Sequence, residues 1–428
     1  MNTEISAVRG RRIWDSRGRP TVEVDITLSD GTRGRGMAPA GASRGRYEAI
    51  DLRDGGDFLG GFDVSRAVGN VNSAIAGALI GLDTADQETI DDTLTELDGT
   101  ENFSALGGNA AIATSMAALS AAANAHELPL WRYLAGDAPV RMPLPEIQIF
   151  GGGAHAGRRV DIQDFLIMPI GAASFDAAMV MTAEVYRAAG ALMEEQGALS
   201  GVCDEGGWWP NFATNEEALD RLTQSIEAAG YTNGEVMISL DIAASEFSEN
   251  GIYRLALEDR EFDTGEWVDT LCKWVKRYPI LSVEDPVGED DPEGMRAFTA
   301  AVGDHVQVIG DDFLVTDPAR VESAIGTKAC NAVLLKPNQA GTITRTRRAM
   351  EVARDAGWGL VVSARSGETE DTMITHLATG WNTGQLKVGS IARSERLAKW
   401  NEALRIEESL GDEAVFAGAD ALPIELKG

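Results

Sequence analysis

Cysteine is scarce in this chain. The three residues, Cys203, Cys272 and Cys330, are odd in number, scattered and without a CxxC spacing. That excludes a disulfide scaffold, argues against zinc and fits a reducing compartment, so a cytoplasmic location is expected. Long apolar runs are missing too. Nowhere do eighteen uninterrupted apolar residues occur, and no apolar stretch follows the basic residues of MNTEISAVRGRRIWDSRG, so neither a membrane span nor a secretory leader is expected. Positive charge is in short supply: the formal net charge of −30 repels nucleic acid and anionic membranes, and neither is an expected partner. An anionic small molecule would need local Lys and Arg, or bound metal ions, to reverse that field. No Gly-rich dinucleotide fingerprint follows a strand, since GGGAH at 151–155 lacks the spacing.

What the chain contains is the balance of a folded globular protein: 428 residues, 44% hydrophobic and 24% charged, enough for two domains with separate apolar cores. Residues 20–28 (PTVEVDITL) alternate apolar and polar side chains, and Asp30 and Gly31 before TRGRGMA predict an antiparallel hairpin. From about 62 to 127 the pattern is Ala-rich with helical spacing, which predicts packed helices and, with the hairpin, an α+β domain over residues 1–137. The segment RMPLPE at 141–146 reads as a junction, because proline removes a donor and disfavours helix in the residue before it. Over residues 138–428 short apolar strands (DFLIMPI, VMISLDIA, PILSVEDP, HVQVIGDD, NAVLLKPN, GLVVSARS, QLKVGSIA) alternate with amphipathic helices, the rhythm of parallel βαβ units. Five or more such units favour an α/β fold with a closed, TIM-type (β/α)8 barrel, while periodicity alone leaves an open doubly wound sheet possible.

The residues that end each apolar run carry the chemistry. Asp241 ends ISLD, Glu284 and Asp285 end LSVED, Asp311 and Asp312 end VIGDD, and Lys336 ends VLLK. In a barrel the carboxyl ends of the strands converge on one mouth, so groups far apart in sequence would face one another. A single strand-end Asp is most simply a helix N-cap. Three acidic clusters and a lysine together imply a compensating cation, and oxygen-only donors suit Mg²⁺. Beside such an ion the Lys336 ammonium would be disfavoured, its pKa lowered towards that of a general base. Glu205 in DEGGWWPN is a candidate general acid. Arg365 and Ser366 in SARSGETED offer a phosphate or carboxylate clamp, and Lys387 fits the same anion-binding ring.

Taken in order, IWDSRGRPTVEVDI, GASRGRYEAIDLRDGG, LDGTEN, DEGGWWPN, SLDIAASEF, SVEDP, GDDFLVT, LKPNQAGT, SARSGETED and ARSERLAKWNEALRIEE resemble the enolase family nearly end to end. The resemblance implies a small α+β amino-terminal cap over a modified (β/α)8 barrel, and a homo-oligomer, dimeric or higher. It also implies two Mg²⁺ ions per site: Asp241, Glu284 and Asp311 would ligate the first, and Ser43 would help to hold the second. Lys336 matches the base and Glu205 the acid. Lys387 matches a contact to the substrate carboxylate, Arg365 and Ser366 the phosphate clamp, and His155 and Gln163 residues lining the pocket.

Several substrate-facing positions depart from that pattern. The motif usually written QEF is QDF, with Asp164; SHRSGE is SARSGE, with Ala364; GASTG is GASRG, with Arg44 after Ala40; GDEGG is CDEGG, with Cys203; and Arg158 and Arg159 replace an Asn pair. Two changes remove side-chain volume, while Arg44, Arg158 and Arg159 are expected to add positive charge. The expected reaction is therefore Mg²⁺-dependent loss of water from a 2-phosphoglycerate-like acid, phosphorylated or phosphonylated. The expected substrate is a bulkier, more anionic analogue, as in the family's carboxyphosphonoenolpyruvate synthases. The alternatives are ordinary enolase acting on 2-phosphoglycerate and a non-catalytic enolase-like binding protein.

Overall fold

The computed structural model describes residues 3–42 and 44–426. Its first unit is an antiparallel meander of β1 (Ile5–Trp14), β2 (Pro20–Leu28) and β3 (Arg33–Met37). The hairpin read from Asp30 and Gly31 is β2–β3, turning through Gly31 at φ 90°; β1, a third strand, was not legible in the alternation. The Ala-rich stretch folds as helices, with Gln87–Asp98 and Gly108–Ala125 the longest. The second is buried on nearly every side and lies flat on β2 and β3. Small side chains on both partners permit that approach: a Cβ on Gly36 would stand 2.7 Å from the backbone nitrogen of Ala117.

The second unit is a closed barrel. Around its circumference run β10 (Ile280–Glu284), β11 (Gln307–Gly310), β12 (Ala332–Leu335), β13 (Gly359–Ser363), β14 (Gly384–Gly389), β4 (Leu144–Gly151), β5 (Asp164–Met168) and β6 (Met237–Asp241). A small sheet of β7 (Ser248–Glu249), β8 (Ile252–Leu255) and β9 (Arg260–Asp263) follows β6. The segment read as a junction, RMPLPE, runs directly into β4.

One expectation is overturned here. The strands are not all parallel, because β5 runs antiparallel to both β4 and β6. The reason is local: residues 152–163, between β4 and β5, contain only the short 3₁₀ turn Gly153–Ala156, with no helix to carry a crossover. The reversal brings the first residue of β5, Asp164, to the mouth where the other strands end, in register with Asp241, which is itself paired with Glu284. The apolar core lies between barrel and helices, while a polar layer fills the barrel interior. There Gln307 and Gln385 exchange amide hydrogen bonds of 2.9 Å and Ser239 donates to Glu146 at 2.8 Å. Among the described residues no helix is long and apolar enough to cross a membrane.

The flush helix–sheet contact generates a stability prediction. Gly36→Ala should lower the unfolding free energy by about 1–3 kcal/mol, because backbone rather than a yielding side chain opposes the new methyl. Gly77→Ala, in open space on a helix, should be neutral or mildly stabilising. Urea unfolding midpoints of the two variants check the contrast.

Candidate active site

At the mouth, side chains delivered by separate strands form one connected set of charges. Lys387, from β14, donates to Asp241 Oδ2 at 2.8 Å and Glu284 Oε2 at 2.6 Å, with Asp164 Oδ2 at 3.9 Å. Lys336, just after β12, donates to Asp311, which also accepts from Gln339 at 2.9 Å. Gln163 donates to Asp241 at 3.1 Å. All of these groups are buried.

The electrostatics follow from that arrangement. Burial, with Asp241's charge adding, pushes the Glu284 carboxyl well above its ordinary value. Burial works against charge on Asp241 as well, but the charge and hydrogen bond of Lys387 outweigh it and hold that carboxyl low. Both lysines are disfavoured by burial, yet the carboxylates facing them win and raise them, Lys387 strongly. The expected depression of Lys336 is therefore not produced by the protein's own groups. Asp311, nearest to it, holds its proton on.

Asp241, Glu284 and Asp311 present oxygen donors only. One of those oxygens, Glu284 Oε1, is buried without a hydrogen-bond partner among the described residues. An orphaned carboxylate oxygen in an all-oxygen set fits a hard divalent cation. The neighbouring acids read from the same strand ends differ. Asp285 accepts the backbone N–H groups of Asp311 and Asp312 at 2.9 and 2.7 Å, so its oxygens hold the turn that presents Asp311.

Asp241, Lys336 and Lys387 open on a small cavity, lined also by His155, Gln163, Asp164, Glu205, Arg365 and Ser366 together with Ala364. On one wall His155 Nε2 stands 3.7 Å from Glu205 and 3.9 Å from Asp164. Burial pushes Asp164 up to about 6, with Glu205's charge adding and His155 opposing. Glu205 is also buried, but His155, Arg396 and Lys387 hold it below its ordinary value. On another wall Arg365 pairs with Glu48 at 2.8 Å and Asn338 at 3.0 Å, and Ser366 Oγ accepts from the Ala42 backbone at 3.1 Å.

Not every expected residue is brought in. Ser43 lies outside the described residues. Arg44 is exposed and does not line the cavity. Arg158 is exposed and paired with Glu246 at 2.7 Å, while Arg159 is hydrogen-bonded to Asn211 at the surface, so neither adds charge to the pocket. Their proximity in sequence to His155 was misleading, because the turn after Gly157 points them outward. Conversely, Glu48, Asn338 and Gln339 were missed. For Glu48 the available signal was an acid five residues after Ser43 in GASRGRYE, with no hint that a partner lay 317 residues away.

Comparison with known proteins completes the picture. The family models described as "Enolase, N-terminal domain" and "Enolase, C-terminal TIM barrel domain" match residues 5–134 and 139–424. Enolase 1 of Desulfitobacterium hafniense (strain Y51) is 50% identical over 426 residues, covering 97% of this chain and 98% of the relative. Enolase of Acidothermus cellulolyticus (strain ATCC 43068 / DSM 8971 / 11B) is 48% identical over 420 residues, covering 98% and 97%. Enolase of Rubrobacter xylanophilus (strain DSM 9941 / JCM 11954 / NBRC 16129 / PRD-1) is 47% identical over 421 residues, covering 98% of each. With both halves matched and relatives this similar over nearly their full lengths, the chain belongs to the enolase family and is a carbon–oxygen lyase of the hydro-lyase class.

Proposed function

We propose that the chain dehydrates 2-phosphoglycerate to phosphoenolpyruvate with Mg²⁺. The observation that carries this reading is one cavity lined by Lys336, Glu205 with Asp164, Arg365 with Ser366, and Asp241, with Glu284 tied to Asp241 through Lys387 and Asp311 bonded to Lys336.

In this reading Arg365 and Ser366 orient the phosphate, Arg365 through its planar fork. Lys387 meets the carboxylate. Lys336 Nζ takes the proton from the carbon bearing that carboxylate, and the opposite wall returns a proton to the departing hydroxyl so that it leaves as water. Glu205 is the acid the family pattern assigns; Asp164, the more easily protonated of the pair near neutrality, shares the task with it. Asp241, Glu284 and Asp311 would hold one Mg²⁺ and Ser43 would help to hold a second. The ion, when bound, supplies positive charge that stabilises the substrate's growing negative charge and offsets the carboxylates that keep Lys336 protonated.

The bulkier, more anionic substrate has one observation in its favour: Asp164 and Ala364, the two shortened positions, both line the cavity. The three arginines invoked for it do not, and the relatives are named enolase, so the ordinary substrate is better supported.

With Mg²⁺ and 2-phosphoglycerate the protein should generate the ultraviolet absorbance of an enol phosphate, and a chelator should stop it reversibly. A higher kcat/KM for an analogue carrying a carboxylate on phosphorus would reverse the ranking of the two substrates. Lys336→Ala should lower kcat by about 10²–10⁴-fold while the Tm stays near that of the parent. Glu48→Ala, which removes the buried carboxylate facing Arg365, should cost about 3 kcal/mol in urea unfolding and raise KM more than it lowers kcat.

A further inference from the structure

Gln148 is fully buried on β4, and among the residues assigned above its side chain hydrogen-bonds to Asp164. Its amide nitrogen donates to Asp164 Oδ1, leaving Oδ2 as the oxygen that faces His155 and Lys387, each at 3.9 Å. The other end of the amide is pinned by two donors. The Gly207 N–H reaches Oε1 at 2.8 Å and the Cys203 thiol reaches it at 3.1 Å. Burial pushes the Cys203 thiol up to about 12, so it keeps its proton and acts as a donor. With both donors on Oε1, the amide has one orientation, and its N–H groups point at the carboxylate.

The surrounding backbone is cut to admit this side chain. A Cβ at Gly207 would collide with Gln148 Oε1, and one at Gly151 would collide with Cys203 Sγ and lie 3.0 Å from Gln148 Nε2. Cys203 and Asp164, two departures from the family motifs, thus belong to one hydrogen-bonded unit. The lengths are matched as well. Gly151 pairs with Asp164 across neighbouring strands, and the span from β4 to the carboxylate is filled by a long amide meeting a short acid.

We propose that Gln148 is a positioning residue, locked by Cys203 and Gly207, that sets the rotation of the Asp164 carboxylate at the cavity, and that Gln148 and Asp164 act as a length-matched pair. The assignment rests on the dehydration reading for its kinetic arm only. A short amide with a long acid would bridge the same gap, whereas a long amide with a long acid would overfill it and a short amide with a short acid would leave it open.

The test is a cycle of Gln148→Asn, Asp164→Glu and the double variant, with Gln148→Met as a near-isosteric control lacking the amide, assayed with Mg²⁺ and 2-phosphoglycerate. Each single change should lower kcat by about tenfold, the scale of one lost buried hydrogen bond, with KM altered less than about threefold. The double variant should return to within about threefold of the parent, the non-additivity of directly touching residues. Gln148→Met with undiminished kcat, or a double variant no better than the product of the singles, would overturn the proposal. If the parent protein fails to turn over 2-phosphoglycerate, the substrate reading falls alone, and the same cycle is read in Tm. There, recovery in the double variant supports the pair and additive losses refute it.

Discussion

Burying carboxylates beside one another is the constraint on which this active-site architecture turns. Asp164, Asp241, Glu284 and Asp311 are all nearly inaccessible at one barrel mouth, where neither water nor distance screens their repulsion. Lys387, bridging Asp241 and Glu284, and Lys336, on Asp311, are the counter-charges that make the arrangement tenable. The strain left over is visible in Glu284, which burial and Asp241 push well above its ordinary value and which retains an oxygen with no partner among the described residues. A site in which carboxylates outnumber buried ammonium groups favours a cation and, without one, disfavours an anionic ligand. An acidic protein could receive an acidic ligand there only with compensating positive charge in the site.

The amino-terminal unit meets the barrel at that site as well as away from it, where Ser115, Asp91 and Glu88 accept from Ile343, Thr344 and Arg348. Ala40 exchanges backbone hydrogen bonds with Gly367, Arg17 donates to Ala40 and Gly41, and Glu48 reaches across to Arg365. Farther along the loop, the Arg46 backbone donates to Glu289 and its guanidinium to Asp290. Of these, Ala40 and Glu48 meet the loop after β13 that borders the cavity, Arg46 meets a loop outside it, and Arg17 braces the segment from within the amino-terminal unit. The buried Arg365 contact is thus an interdomain one: Arg365 from the barrel pairs with a carboxylate of the amino-terminal unit.

Much of this was legible in the chain. Apolar runs broken by Asp, Glu or Lys predict strand ends, and the local rule holds because a residue that ends a buried strand needs either water or a partner. Closure of the barrel makes the partners one another. The direction of β5 was not legible, since an apolar pentad reads the same in either direction and only its helix-free connection to β4 decides the matter. Arg158 and Arg159 turn away from the cavity for a related reason: closeness in sequence to a site residue says nothing about which way a loop side chain points.

Fold class, the strand-end acids, the lysines and the family all follow from short-range pattern and motif order, because secondary structure and strand-end chemistry are specified by neighbours a few residues apart. Which carboxyl keeps a proton, which acid braces Arg365 and which amide turns Asp164 depend on groups brought together across as many as 317 residues. Those are properties of distance and burial, and distance and burial exist only once the chain has closed.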